Sequence, residues 1–389
     1  MKVNPLKRRL LLVLLAGILL LLSACARSKM NSAVIDDEPR GSTSFIRNHK
    51  EGKIASYKGL LYTVVGDELL QFDPVTKQTK AVLDLSKAGT PPVEDFMLFE
   101  GDGRLWLLAG GYLLGDQADS IQLVAFKEDL STLEKPVYRL DHWPTAAGLV
   151  GRNFFFTQQT EQTGDQIALY KLDVSTGRLT VVNNGTVLDF TGGPQTLYYA
   201  ANFIKKDPVR KMGVPSREGA EAYIYNIDEE VEEKIGMSVA FPCFSHLGDR
   251  YVTLSETGQR AENCVLELRD KKGAIKQTYP FGNGLGWPDF LSTGQKLVLL
   301  ARSEAGDRLL LLDEELEQVG EWQLAAGAES SLQAMDERYL YFSQVVIKAD
   351  RGRLGEAKEG DLSAGIAEAY YRLDYTDKDS TPEAIFTKD

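Results

Sequence analysis

Three carboxylates recur in one local setting, Asp95-Phe96, Asp189-Phe190 and Asp289-Phe290. Carboxylates gathered around one opening can hold a cation, and a pair about 5 to 9 Å apart can cleave a glycosidic bond by acid–base chemistry. The plainer use of the same residues is to accept backbone N–H groups where strands begin. Cations cluster elsewhere. Lys205, Lys206, Arg210, Lys211 and Arg217 stand against one acid, Asp207, within residues 203–217, and Lys348, Arg351 and Arg353 surround Asp350. Such groups suit an anionic partner such as a cell-wall polymer, phospholipid headgroups or an acidic protein surface, although a solvated loop carries the same charges.

Other chemistry finds little material. His49, His142 and His246 are far apart in sequence, and three Cys complete the set of soft ligands, so no metal site is expected. A Gly-x-Ser-x-Gly elbow and a Gly-x-x-x-x-Gly-Lys-Ser/Thr phosphate loop are both absent, and no cofactor is expected. Residues 1–24 hold four basic residues and no acid, so removing them leaves 40 basic against 56 acidic residues, a net charge of −16. That balance argues against a nucleic-acid partner.

The amino terminus carries an address. Lys2, Lys7, Arg8 and Arg9 precede thirteen apolar residues, Leu10 to Leu22. As a helix these would span roughly 20 Å, short of the roughly 30 Å hydrocarbon core, which suits a signal peptide rather than a membrane span. Leu22-Ser23-Ala24-Cys25 resembles the lipobox of bacterial lipoproteins. The resemblance implies that Cys25 is lipidated and holds the chain on the outer side of the cell membrane. Residues 1–24 are thus read as a lipoprotein signal peptide, 25–50 as lipidated Cys and polar tether, and 51–389 as the folded body.

The elements that position the charged groups repeat. Short apolar runs ending at an acid recur as Leu69 to Asp73, Leu169 to Asp173, Tyr223 to Asp228, Val265 to Asp270, Leu309 to Asp313 and Tyr370 to Asp374; Leu123 to Phe126 has Lys127 in that place. From Asp73 to Asp374 is 301 residues over six intervals, a mean period near 50. Each run follows a partner, from Leu60 to Val65 in the first unit to Tyr339 to Ser343 in the last. These lengths, rich in Tyr, Phe, Val and Leu, are strand lengths. The Asp can accept N–H groups of the turn that follows, and Gly177 can take the positive φ that reverses the chain.

Sequential four-stranded units of this size predict an all-β fold, a β-propeller whose units count to seven blades starting near Gly52, Asp95, His142, Val187, Ala240, Pro288 and Ser331, with six or eight as the alternative counts. Cys243 and Cys264 fall on the first and third strands of one blade. That places them about 9.5 Å apart, too far for a disulfide, so two buried thiols are expected. Pro242 to Val252 and Pro288 to Val298 resemble the WD40-like repeats of TolB-type propellers, where a Pro, an aromatic, a Ser and a Gly lead into the second strand. The Asp-x-x-Thr-Gly turns resemble those of quinoprotein-like propellers. Both resemblances imply a fold and carry no catalytic residue.

Three long segments, Gly110 to Ser120, Asn202 to Ala220 and Val345 to Gly365, all join a second strand to a third, and they hold both cation clusters. In a propeller those connections open on one face. The expectation is a membrane-anchored binding or scaffolding module with this face as contact surface. An envelope polysaccharide lyase or hydrolase using Asp95, Asp189 and Asp289 is the enzymatic alternative, and a ligand-sensing accessory to a transporter or receptor is a third.

Overall fold

The computed structural model describes residues 46–50, 52–88, 93, 95–110, 121–134, 137–159, 166–193, 195–202, 205–206, 213–214, 220–239, 244–256, 264–280, 289–302, 306–326, 328–347 and 366–387. Among them, seven antiparallel blades follow one another along the chain. Blade 1 runs from Ala55–Tyr57 to Gln78–Asp84, blade 2 from Asp95–Gly101 to Tyr138–Leu140, and blade 3 from Ala147–Val150 to Arg178–Asn183. Blade 4 runs from Phe190–Gly192 to Val231–Val239 and blade 5 from Phe244–Leu247 to Ile275–Pro280. Blade 6 runs from Asp289–Ser292 to Gln318–Gln323 and blade 7 from Ala328–Met335 to Glu383–Thr387. The one helical element described is a single 3-10 turn, Leu85–Lys87.

The apolar runs are continuous because the middle strands of a blade are covered on both faces. Side chains on a strand alternate between faces. In blade 6, Leu297, Leu299 and Ala301 pack with blade 5, while Val298 and Leu300 pack with blade 7. Blade 3 divides its aromatic run likewise, with Phe154 and Phe156 toward blade 2 and Phe155 toward blade 4. Seven such clusters lie between successive blades, and the one holding Ile54, Leu61, Tyr341 and Phe386 joins blade 7 to blade 1, so the sheets close into a ring. Phe154 is wholly buried, stacks on Phe156 at 5.4 Å and meets Phe99 edge-on at 5.4 Å. Each large side chain buried this way contributes about 1.5–3 kcal/mol.

Turns follow from the acid that ends most third strands. Asp73 Oδ1 accepts the N–H groups of Val75 and Thr76, and Asp173 Oδ1 those of Ser175 and Thr176. Asp270, Asp313 and Asp374 act in the same way. Gly177 takes φ 72° as expected, and Lys77 holds the matching place with φ 57°. Blade 4 departs from the expectation. Its third strand ends at Asn226, whose carboxamide oxygen accepts the Asp228 and Glu229 N–H groups, so the carboxamide and not Asp228 forms the turn. In blade 2, where Lys127 replaces the acid, Asp129 receives the Ser131 N–H.

Cys264 opens the third strand of blade 5 opposite Glu256. Cys243 lies outside the described residues, as do Cys25 and residues 1–45.

Candidate functional site

The pairings fix which ends share a rim. Asp95 faces Gly110, Asp289 faces Leu300 and Ala328 faces Val346, so inner strands start where second strands end. The segments from Gly110 to Ile121, Ala201 to Ala220 and Ile347 to Ile366 therefore all leave from that rim. Within the blade-4 segment, Lys205–Lys206 pairs with Gly213–Val214 as a two-stranded hairpin, Lys205 opposite Val214. Arg210, Lys211, Arg217, Lys348, Arg351 and Arg353 lie outside the described residues.

The axis of the ring is occupied by the chain itself. Strand Ile46–Arg47 adds to the inner edge of blade 7, Ile46 opposite Met335 and Arg47 opposite Ala334. It starts beside the turn-side end of that inner strand and runs toward the opposite rim. Asn48 continues it by donating its backbone N–H to the Gln333 carbonyl at 2.8 Å. Asn48 is 4% exposed, and its carboxamide donates to the Leu332 carbonyl at 2.6 Å and to the Asp289 carboxylate at 3.0 Å. The His49 ring stacks on Phe190 at 4.5 Å, and its carbonyl accepts the Ala147 N–H at 2.7 Å. Lys50 Nζ lies 3.1 Å from the Asp189 carboxylate. Gly52 then accepts the Leu98 N–H at 3.2 Å, and Lys53 donates its N–H to Gln333 Oε1 at 2.8 Å. Blades 2, 3, 4, 6 and 7 all touch this short stretch.

Two of the three recurrent acids are thereby accounted for. Asp289 receives Asn48 and also the Leu332 N–H of the next blade, the interblade use that carboxylates at strand starts suggest. Asp189 accepts its own neighbour's N–H, from Phe190 at 2.8 Å, and pairs with Lys50. Asp95 accepts the Phe96 N–H at 2.8 Å. Asp189 and Asp289 thus converge on one three-residue segment. Residues 46–50, assigned by composition to the tether, belong to the ring.

The opposite face holds a charged cleft of about 240 Å³ between blades 3 and 4, lined by Arg152, Lys171, Arg178, Asp173, Asp228 and Glu230. Lys171 is nearly buried and its ammonium pairs with Glu230, which holds that carboxyl below the usual range. Arg152 lies 3.4 Å from Asp173. Three cations face three acids, and the cleft is close to neutral. Lys171 could be suspected in the sequence, because Tyr170-Lys171-Leu172 puts a cation inside a strand buried on both faces. Among the described residues, no group of three or more His, Cys, Asp and Glu is placed to hold a metal ion.

These features define the chain as a seven-bladed β-propeller with a self-occupied axis and one rim bearing long insertions. Comparison with known proteins agrees on the fold. The chain is similar to a prolyl endopeptidase at 12% identity and TM-score 0.55, covering 88% of this chain and 50% of that one. It thus spans about half the length of that enzyme. KlAtg21, solved in complex with the coiled coil of AgAtg16, matches at 9% identity and TM-score 0.54, covering 88% of this chain and 100% of that one. TolB from Acinetobacter baumannii matches at 12% identity and TM-score 0.41, over 71% of this chain and 62% of that one. No protein-family model matches the sequence, and no curated protein does.

Proposed function

We propose that this propeller is a membrane-anchored, extracytoplasmic binding or scaffolding module whose loop-bearing rim is its contact surface. One observation carries the reading: the longest strand-two to strand-three segments, in blades 2, 4 and 7, leave from a single rim of a rigid ring. Closed blades leave only short, protected edges, so segment sequence can vary without disturbing the sheets. The cations of residues 205–217 and 348–353 lie in two of these segments and suit an anionic polymer or an acidic protein surface. Lipidation of Cys25 supplies the anchor, since two acyl chains hold a protein stably where one is marginal.

Replacing Lys205, Lys206, Arg210 and Lys211 with Ser tests the patch. Partner capture from the protein's own membranes is expected to fall and to lose its salt dependence, with an unchanged melting temperature. Undiminished capture by the quadruple variant would remove these cations from the contact surface.

A further inference from the structure

The stretch Asn48 to Lys50, with Gly52 and Lys53 after it, is built unlike the rest of the ring. The seven blades have their four strands without it, and Asn48, His49 and Lys50 belong to none of the seven interblade clusters. Its contacts are instead specific and mostly polar. The carboxamide of Asn48 is read by the Asp289 carboxylate and the Leu332 carbonyl, the His49 ring by Phe190, and the Lys50 ammonium by Asp189. The seat is shaped as well as charged. A Cβ on Gly148 would lie 2.5 Å from His49 Nδ1 and 3.2 Å from Phe190 Cε2, and Gly148 is not among the positive-φ residues, so the stacked ring pair, His49 above all, demands glycine there. Two residues upstream, the chain lies as an added strand on the inner edge of blade 7, the way extended peptides dock on exposed sheet edges.

We propose that residues 46–50, together with Gly52 and Lys53, form a strap that fills a peptide-binding seat in cis. The seat spans Gln333, Asp289, Asp189, Phe190 and Gly148, and its ligand class is an extended peptide bearing a carboxamide, a ring and an amine on successive residues. In the intact chain the strap is present at the high effective concentration of a tethered segment, so it excludes a peptide supplied in trans. The proposal rests on the axis contacts alone and is independent of the anchor and of the loop-bearing rim.

The test uses the full chain and a fluorescent synthetic peptide with the sequence of residues 46–53, read by anisotropy. The unsubstituted chain is expected not to bind it. A chain carrying Asn48→Ala, His49→Ala and Lys50→Ala, whose receptor residues are intact, is expected to bind it saturably. Adding Gly148→Ala to that chain, or using a peptide with Lys50→Ala, is expected to weaken binding at least tenfold. A cooperatively melting triple variant that ignores the peptide overturns the proposal, as does binding indifferent to Gly148→Ala. Should the triple variant not fold, Lys50→Ala alone is followed by hydrogen exchange. At least tenfold faster exchange of the Asn48 and Ala147 amides, with the Leu107 and Leu299 amides unchanged, supports a releasable strap, and unchanged Asn48 and Ala147 amides contradict one.

Discussion

Single side chains in this ring act mainly by meeting backbone groups or rings that their own blade leaves open. Asp173 shows the commonest case. The Ser175 hydroxyl and then the backbone amides of Ser175 and Thr176 hold its carboxyl below the ordinary carboxylate range. Because the folded value is depressed, this turn's contribution is complete above the ordinary carboxylate pKa and is lost as pH falls through the folded one. Asp173→Ala is expected to cost about 1 kcal/mol at pH 7, measured by urea unfolding, and the difference from the parent protein should shrink in strong acid. His246 behaves in the opposite chemical sense. It stacks on Tyr198 at 4.5 Å, its Nδ1 is buried without a hydrogen-bond partner, and burial pushes its pKa down from 6.5. The unfolded chain therefore takes up a proton first as pH falls below about 6.5, and stability declines there. His246→Phe should flatten the decline between pH 7 and 5 in melting-temperature measurements. An equally steep decline would show that other groups cause it.

At the scale of strands and turns, stability is concentrated between blades rather than within them. Phe154→Ala is expected to cost about 3–5 kcal/mol, because it empties a wholly buried site between blades 2 and 3. Val75→Ser, at a residue 90% exposed in a turn of blade 1, should stay within about 0.5 kcal/mol of the parent. Chemical denaturation of the two variants separates these outcomes. The same concentration explains what the sequence could reveal. Runs such as Leu297 to Ala301 are apolar at every position, and an acid closes most third strands, so both strand and turn could be read locally. Blade 4 needed the structure because Asn226 forms a turn as well as Asp228 would, and local pattern does not choose between them. The strap was illegible for a different reason. Arg47-Asn48-His49-Lys50 is as polar as any tether, and its meaning lies in partners far along the chain: Asn48 meets Asp289 at a separation of 241 residues and Leu332 at 284. The three acids could be singled out by their shared Asp-Phe setting, yet what Asp189 and Asp289 hold could not, since the closure of the ring brings it to them.

The whole molecule has two unlike rims, and they differ in what they can present to a partner. One rim carries short turns capped by Asp or Asn, together with the balanced ion pairs between blades 3 and 4. The other carries the inner-strand starts and the three long segments, and there the strap meets Asp189 and Asp289. A rigid ring presents whatever its rim bears without rearranging, so recognition is expected to be confined to one side. Photo-crosslinking in the producing cells measures this most directly, with the crosslinking residue placed singly at Gln159, exposed on the loop-bearing rim, or at Thr176 and Lys271, exposed on the turn-bearing rim. Adducts with a partner from position 159 and none from 176 or 271 are the predicted result. Adducts from the turn-bearing rim alone, or equally from both, would contradict a one-sided binding module.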